Sequence, residues 1–290
     1  NHHTNVVSQG FDNEYPEFPA PQNTSQNENY ESELKTKSLN DLVEMARQID
    51  DADREWIWKG ITMNTKLSDA GQTLGLVGAK IAALASKGIL PNGWISRAKA
   101  TIAGAVDARM DGYQLPAMAS ATTGNQGNLA ILGPFLAGIE WKIETKRIEQ
   151  AIALSHLVNS FLHCHIGKLS SMCGCAFAAG AGAAAAIAYL RTDDVDTIYK
   201  AIINFIGGNI GITCDGANDG CAMVVANSTG AAIESALLAL EGFSLDLNSG
   251  VRDPDLMMLA RNLSKIGNIG MQNCDKTILE ILSRKQSSGQ

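Results

Sequence analysis

The chain has 290 residues and a formal charge of −7 at pH 7, from 23 Lys and Arg against 30 Asp and Glu. Residues 1–60 hold 12 acidic and 5 basic side chains, whereas residues 61–290 hold 18 of each. Such a neutral body argues against a nucleic-acid binder, which needs clustered cations to replace phosphate counterions, and against a polybasic membrane patch. We predict neither a nucleic-acid partner nor a membrane partner.

The amino-acid composition indicates the kind of core and the compartment. Hydrophobic residues make up 45% of the chain but aromatic residues only 6%, which predicts a large core of small aliphatic side chains. The polar opening, NHHTNVVSQG, shows no secretion signal. Six cysteines are too few and too unevenly spaced for a disulfide scaffold. These features predict a cytoplasmic, reduced protein whose thiols are available for chemistry.

The first 36 residues lack the pattern of a folded domain. HTNVV resembles the end of a strand whose partners lie upstream. Residues 8–36 are rich in Asn, Gln, Glu and Pro and show no apolar period, which is typical of a solvated linker. We therefore predict a remnant strand and polar linker over residues 1–36, left from an α/β domain, and one helical domain over residues 37–290.

Helical periodicity begins at Ser38, which forms an approximate capping box with Asp41 ahead of an apolar stripe. Gly and Pro separate the segments that follow, and no run of alternating strands lies between them. The fold class predicted is all-α, a multi-helix bundle. Further helices are predicted over residues 52–68, 73–87, 94–109, 128–141, 144–164, 168–190, 194–207, 221–241, 253–266 and 275–285.

Residues 172–190, MCGCAFAAGAGAAAAIAYL, carry no charge and are long enough to cross a membrane. The segment is mostly Ala and Gly, however, which gain little from transfer into lipid and let neighbouring helices approach closely. An apolar helix without a polar face belongs at the middle of a bundle. We therefore predict a buried central helix here and not a membrane span.

Four cysteines fall in two short segments and are the candidate metal ligands. On a helix Cys173 and Cys175 would point about 200° apart, so only one of them would face a site. Cys214 and Cys221 would lie about 10.5 Å apart along a helix, but the intervening DGANDG favours a loop that folds them together. The predicted metal ligands are Cys173, Cys214 and Cys221, with Cys175 as the alternative to Cys173. Small buried core residues are an equal alternative, and spacing does not choose between zinc and iron.

The segment over residues 107–131 is the candidate substrate site. ATTGNQG opens a helix near Asn128, so backbone N–H groups and nearby polar side chains could cradle a carboxylate. An ordinary turn and N-cap is the alternative. The nearby charged residues Asp107 and Arg109 pair either with each other or with a substrate. The candidate substrate-binding residues are Asp107, Arg109, Thr123, Gly124, Asn125, Gln126 and Gly127.

Three residues are candidates for a general base. His156 and His163 lie seven residues apart on one helix face, and Lys168 follows. The pKa of His suits proton transfer near neutral pH, whereas Lys would need burial to lower its pKa. Structural roles are the alternative, and the sequence does not choose the base among the three.

At these motifs the chain resembles the bacterial serine dehydratase alpha-chain-like proteins, which include iron-sulfur L-cysteine desulfidase. The matching segments cover residues 37–285 in the same order, and HTNVV matches as well. A collinear match of several motifs is more specific than any one of them. The matching segments are DARMDGYQLPAMASATTGNQGN, LSHLVNSFLHCHIGKLSSMCGCAFAAGAGAAAAIAYL, GITCDGANDGCAMVVANSTGAA and IGMQNCDKTILEIL.

The resemblance implies an all-α catalytic domain with a 4Fe-4S cluster held by three cysteines, which match Cys173, Cys214 and Cys221 here. It implies β-elimination from the small amino acid L-cysteine, giving sulfide, ammonia and pyruvate, or deamination of L-serine. Family members begin with a mixed α/β region that contains a Gly-Cys-Thr-Glu-Pro motif, and we expect this chain to start near its end. A missing N-terminal domain and a homodimer are accordingly the two hypotheses for a protein partner. A catalytically silent homologue and a structural metal-binding helical protein, with zinc less favoured than iron, are the alternative functions.

Overall fold

The structure, a computed structural model, describes residues 30–167 and 170–287. In this part of the chain the only β-structure is two isolated bridges, so the all-α prediction is confirmed. A π-helical turn, Ile266–Gly270, follows the tenth of the helices. From Leu39 onward the α-helices are α1 (Leu39–Arg47), α2 (Asp51–Thr73), α3 (Val77–Ser86), α4 (Trp94–Met110), α5 (Gly124–Glu140), α6 (Thr145–Ile166), α7 (Ala178–Tyr189), α8 (Val195–Asn209), α9 (Gly220–Leu240), α10 (Leu256–Lys265) and α11 (Cys274–Ser287).

The central helix of the bundle is α7, and all twelve of its residues are buried. Helices α5, α6, α8 and α9 pack around it. They approach closely because α7 has mostly Ala and Gly. A Cβ atom on Gly180 would overlap the ring of Phe205, and one on Gly182 would lie 2.5 Å from the carbonyl oxygen of Ser155. The predicted central Gly/Ala-rich helix is therefore confirmed.

The start of this central helix was predicted wrongly. The sequence predicted a helix over residues 168–190, whereas α7 begins at Ala178. Residues 171–177, called here the CGC loop, pair through an antiparallel bridge with residues 211–219, called here the CDG loop. Backbone hydrogen bonds to the other loop take the place of helical ones. This pairing joins segments about 40 residues apart in the sequence, so no local pattern reveals it.

Other boundaries also differ from the prediction. Helix α5 begins at Gly124, four residues earlier than predicted, because the Thr123 side chain accepts a hydrogen bond from the Gln126 backbone N–H and caps the helix. Helix α2 continues to Thr73 without the predicted break, since Gly71 packs against the backbone of α4 inside the bundle.

The predicted polar linker extends too far toward the helical domain. Residues 1–29 of that linker lie outside the described residues. Residues 30–34 are helical, and Leu34 is 2% exposed and belongs to the hydrophobic core. Burial of this one apolar side chain anchors the end of a segment whose composition is otherwise polar.

Among the described residues, one helix is long and apolar enough to cross a membrane by length and composition. It is Gly220–Leu240, and 56% of its most apolar window is buried inside the bundle. Helix α7 is shorter and completely buried. The uncharged segment over residues 172–190, which is long enough to cross a membrane, is therefore a loop followed by a 12-residue core helix.

Candidate functional site

The CGC and CDG loops bring three of the six cysteines together, and a fourth lies at the start of α9. The Cys173 N–H donates to the carbonyl oxygen of Ile212 (2.8 Å), and the Cys214 N–H donates to that of Ser171 (2.9 Å). Residues on the same side of such a bridge have neighbouring side chains. The Cys173 thiol accordingly forms hydrogen bonds with the thiols of both Cys175 and Cys214.

Cys175 therefore shares the site with Cys173, contrary to the expectation that only one of them would face it. That expectation assumed a helix, whereas the CGC loop turns at Gly174 and places both thiols on the same side. Cys221 lies in the first turn of α9, with its Sγ 3.6 Å from the carbonyl oxygen of Gly216 in the CDG loop. The predicted loop between Cys214 and Cys221 is present.

The four thiols differ in acidity. The hydrogen bond to Cys175 raises the pKa of Cys173 to about 12, and burial acts in the same direction. The same bond lowers the pKa of Cys175, against the opposite effect of burial. The pKa of Cys214 is raised by its hydrogen bond with Cys173 and by burial, and burial raises that of Cys221. Cys175 is consequently the most acidic of the four.

The start of α5 closes the other side of the thiol site. Thr123 Oγ1 lies 3.7 Å from Cys175 Sγ. Gln126 reaches the CGC loop, because a Cβ atom on Gly174 would lie 2.8 Å from its Nε2 atom. Asn125, Gln126 and Gly127, predicted to form a loop, are the first turn of the helix. The segment ATTGNQG therefore lies beside the thiols, as part of one site.

Arg109 also belongs to this site. Its Nη1 atom donates to Asn125 Oδ1 (2.7 Å), which fixes the guanidinium at the start of α5. Gly124 lies under this side chain, since a Cβ atom there would be 2.7 Å from Arg109 Nε. The positive charge of Arg109 lowers the pKa of Cys221, whereas burial raises it. Arg109 thus brings a positive charge next to the thiols without an ion pair to Asp107.

Asp107, a candidate substrate ligand, is occupied elsewhere. Its Oδ2 atom accepts a hydrogen bond from the backbone N–H of Gly78 (2.7 Å), and the Val77 N–H is a second donor. The side chain is 2% exposed, and burial raises its pKa despite these bonds. Because α3 lacks a side-chain cap of its own, Asp107 supplies one from α4.

Replacing Asp107 with Ala is expected to lower the free energy of unfolding by about 1–2 kcal/mol, because two backbone donors of α3 lose their acceptor. Urea denaturation followed by circular dichroism measures the loss. Asp111→Ala, at the exposed C-terminal end of the same helix, serves as the control and is expected to change stability little. Equal stability of the two variants would contradict the capping role.

The two described histidine candidates both contact the segment just before α5, but at different distances from the thiols. His163 Nε2 lies 3.1 Å from Thr122 Oγ1, and its Nδ1 atom is near Gly174 in the CGC loop. His156 Nδ1 is 2.8 Å from Ser120 Oγ, farther from the thiols along α6, and its ring is 5.0 Å from that of Trp56. His163 is therefore the histidine beside the thiols. Lys168 lies outside the described residues.

Three helices begin at the thiol site. The N-terminus of α5 follows Thr123, that of α7 follows the CGC loop, and that of α9 holds Cys221. A helix N-terminus carries a partial positive charge, so it favours a nearby anion. The arrangement supplies positive potential to thiolates, to a sulfide or to a carboxylate without needing many basic side chains.

No group of three or more His, Cys, Asp or Glu side chains in the described ranges is arranged to hold a single metal ion. The thiols of Cys175, Cys173 and Cys214 are instead linked by pairwise hydrogen bonds, and Cys221 interacts with Cys175 and Cys214 electrostatically. The sequence pattern predicted Cys175 only as the alternative to Cys173, because a helix was expected there, and not as its neighbour in the same site. It did not indicate Ser120 and Thr122, which contact His156 and His163. Gly174 between two cysteines was the signal for a loop.

A sequence model of the serine dehydratase alpha chain family matches residues 20–280. The chain belongs to this family. The resemblance found in the motifs is thus confirmed over most of the sequence. No solved structure is significantly similar to the chain.

Similar proteins include three that carry the name UPF0597 protein. Identity is 37% over 263 residues with that of Geobacter sulfurreducens, covering 89% of this chain and 61% of the relative. It is 37% over 258 residues with that of Elusimicrobium minutum, covering 89% and 61%. It is 36% over 298 residues with that of Desulfotalea psychrophila, covering 99% and 68%. The chain therefore spans about two thirds of the length of these relatives.

Proposed function

We propose that the chain is the helical part of an iron-sulfur amino-acid lyase that acts on L-cysteine, with L-serine as a second substrate. One observation carries the proposal: the thiols of Cys173, Cys175 and Cys214 meet where three helices begin, with Cys221 in the first turn of one of these helices, next to Arg109 and the segment ATTGNQG. Membership of the serine dehydratase alpha chain family supports a lyase. The six cysteines are all free thiols, which is typical of a reducing compartment, so we propose that the protein is located in the cytoplasm.

The thiol site suits a 4Fe-4S cluster better than a single ion. In such a cluster each cysteine binds a different iron, so the ligands need not meet at one point. Cys173, Cys214 and Cys221 would hold it, as the family resemblance implies, with Cys175 adjacent. When bound, the cluster would supply an open iron as Lewis acid for the leaving thiol or hydroxyl of the substrate.

The residues around the thiols match the needs of β-elimination. His163, which contacts Thr122 through Nε2 and lies near Gly174 through Nδ1, would accept the α-proton of the substrate. The electrons of the C–H bond form the Cα–Cβ double bond, and the Cβ–S bond breaks to release sulfide. The remaining aminoacrylate tautomerises to an imine, which water hydrolyses to pyruvate and ammonia. The reaction therefore consumes one water for each L-cysteine.

Electrostatics at the site favour binding of the substrate carboxylate. Arg109 and the N-terminus of α5 provide positive charge for the α-carboxylate. The N-termini of α7 and α9 stabilise negative charge on the leaving sulfur. Cys214 is exposed, whereas Cys173 is buried, so the site is reached from the side of the CDG loop.

The proposal is tested by iron and acid-labile sulfide content after anaerobic purification and reconstitution. Wild type is expected to bind about four of each per chain. Cys214→Ser is expected to lose most of the iron, whereas Cys274→Ser, which changes a cysteine outside the site in α11, is expected to retain it. A wild-type chain without iron would overturn the proposal, and a zinc content near one would favour the structural metal protein.

Activity is tested on the same preparations by sulfide release from L-cysteine and pyruvate release from L-serine. His163→Gln is expected to retain the iron but to lose at least 100-fold in turnover, because proton abstraction typically contributes that much. Cluster-loaded wild type without either product would favour a catalytically silent homologue. Turnover by His163→Gln equal to that of wild type would remove this residue as the base.

A further inference from the structure

A short turn just before α5 lies between α6 and the thiol site. Residues 120–123 form it, and it is called here the entry turn. The backbones of Ser120 and Thr123 close the turn through two reciprocal hydrogen bonds of 3.2 Å. Between them Ala121 has a φ of 50°, in the left-handed region that favours Gly. A strained turn persists only where surrounding contacts hold it, so the contacts of its side chains decide its shape.

Two side chains of α6 hold the entry turn at Ser120, which is 3% exposed. The Oγ atom of Ser120 accepts a hydrogen bond from Asn159 Nδ2 (2.8 Å) and lies 2.8 Å from His156 Nδ1. Burial lowers the pKa of His156 to about 4, so its ring is neutral at pH 7 and one ring nitrogen can accept from the Ser120 hydroxyl. Asn159 Oδ1 and His156 Nε2 are buried without a partner among the described residues. Ser120 is therefore the group that pairs both side chains.

The other end of the entry turn meets the thiol site. Thr122 Oγ1 lies 3.1 Å from His163 Nε2, and Thr123 Oγ1 lies 3.7 Å from Cys175 Sγ. His163 is one helical turn beyond Asn159 on α6, and residues four apart share a helix face. The entry turn therefore joins a buried anchor on α6 to the histidine beside the thiols.

The contact with Thr122 bears on which ring nitrogen of His163 carries the proton. A neutral imidazole has one N–H donor and one acceptor nitrogen. When Nε2 donates to the Thr122 hydroxyl, Nδ1 is the basic nitrogen, and it is the one near Gly174 in the CGC loop. A proton accepted at Nδ1 strengthens the Nε2–H donor, because hydrogen bonds from a charged group are stronger. Thr122 therefore favours both a base at the CGC loop and the protonated form of that base.

We propose that Thr122 is a positioning residue for His163 and that Ser120, bound to two side chains of α6, holds Thr122 in place. The inference rests on the proposed function, in which His163 is the base. It adds two residues that the sequence motifs did not indicate. Thr122 acts through the imidazole ring and not on the substrate.

Nitrogen-15 NMR of the histidine rings tests the contact in the full chain, without iron or substrate. The His163 signals are identified by their absence from His163→Gln. In wild type the proton is expected on Nε2, and Thr122→Val, which replaces the hydroxyl with a methyl group of similar size, is expected to remove this preference. Thr122→Ser keeps the hydroxyl and is expected to retain the preference. A wild-type ring protonated at Nδ1, or an unchanged preference in Thr122→Val, would overturn the proposal.

Ser120→Ala tests the anchor of the entry turn. The variant is expected to show mixed protonation of the His163 ring, because the turn loses its side-chain contacts with α6. Ser228→Ala, which removes a buried hydroxyl paired with the Val224 carbonyl oxygen, is the control and is expected to leave the ring unchanged. A fall in Tm for Ser120→Ala with the ring protonation of wild type would show a structural role and overturn the anchor.

Turnover of the iron-loaded chain gives a second readout. Thr122→Val is expected to lower kcat about tenfold or more with KM little changed, because a base out of position slows proton transfer but leaves substrate binding intact. Thr122→Ser is expected to recover most of this loss. The Thr122 side chain is exposed, so both variants are expected to fold. A wild-type kcat in Thr122→Val would overturn the positioning role.

The outcomes of the two proposals are separable. Ring protonation of His163 that depends on Thr122, in a chain that binds no iron or releases no product, would retain the contact and overturn the iron-sulfur lyase. Equal product release by wild type and Thr122→Val would retain the lyase and overturn Thr122 as a positioning residue.

Discussion

Replacing Gly180 with Ala is expected to lower the free energy of unfolding by about 3 kcal/mol or more. The new methyl group would overlap the ring of Phe205, a completely buried residue of α8 that packs against α7. Overpacking of a close-packed core typically costs about 1–3 kcal/mol, and this overlap involves three ring carbons. Urea denaturation of the full chain measures the change.

Two further variants identify the cause of this loss. Gly208→Ala changes another helical glycine, in α8, where a Cβ atom would meet nothing within 4 Å, so stability is expected to stay equal or rise by up to about 1 kcal/mol. Phe205→Leu alone should cost about 1–2 kcal/mol. Combined with Gly180→Ala it should cost less than the sum, because the smaller side chain makes room. Additive losses would show that the overlap is not the cause.

The second large effect is a loss of stability at acidic pH caused by His156. Burial lowers the pKa of its imidazole to about 4 from an ordinary value of 6.5. Between these two pH values the unfolded chain binds the proton and the folded chain does not. Lowering the pH therefore favours unfolding. The stabilisation is complete above pH 6.5 and is lost as pH falls toward 4, by about 3 kcal/mol in total.

His156→Gln separates this effect from the titration of other groups. The variant keeps a polar side chain next to Ser120 but does not titrate. The difference in unfolding free energy between wild type and variant, measured by urea denaturation from pH 7 to pH 4, is expected to shift by about 3 kcal/mol in favour of the variant at low pH. A difference that stays constant with pH would contradict a His156 that is neutral in the folded chain.

Much of the bundle follows from local sequence patterns. Ser38 and Asp41 form the capping box that the sequence predicts, and helices α4, α6, α8 and α9 begin and end within two residues of the predicted bounds. These helices have a continuous apolar period and turn residues at their ends, so local propensity and tertiary packing agree. The buried central position of α7 also follows from composition, because a helix of Ala and Gly has no polar face.

The candidate site was predictable only in part. The residue types indicated Cys173, Cys214 and Cys221 together with the segment ATTGNQG, and the structure brings these close to one another. Cys175 was not expected beside Cys173, because a run of small apolar residues is equally compatible with a helix and with the observed CGC loop. The cap that Asp107 supplies to α3 was not expected, since the backbone it contacts is about 30 residues away in sequence.

The sequence by itself determines the helical class, most helix bounds, the family and the chemical groups available for a site. Each of these depends on residues that are near in the chain or on the identity of side chains. Only the tertiary structure decides which thiols meet, which histidine lies beside them and which oxygens are buried without a partner. Those properties depend on contacts between α5, α6, α7 and the two cysteine loops, whose energies no local pattern contains.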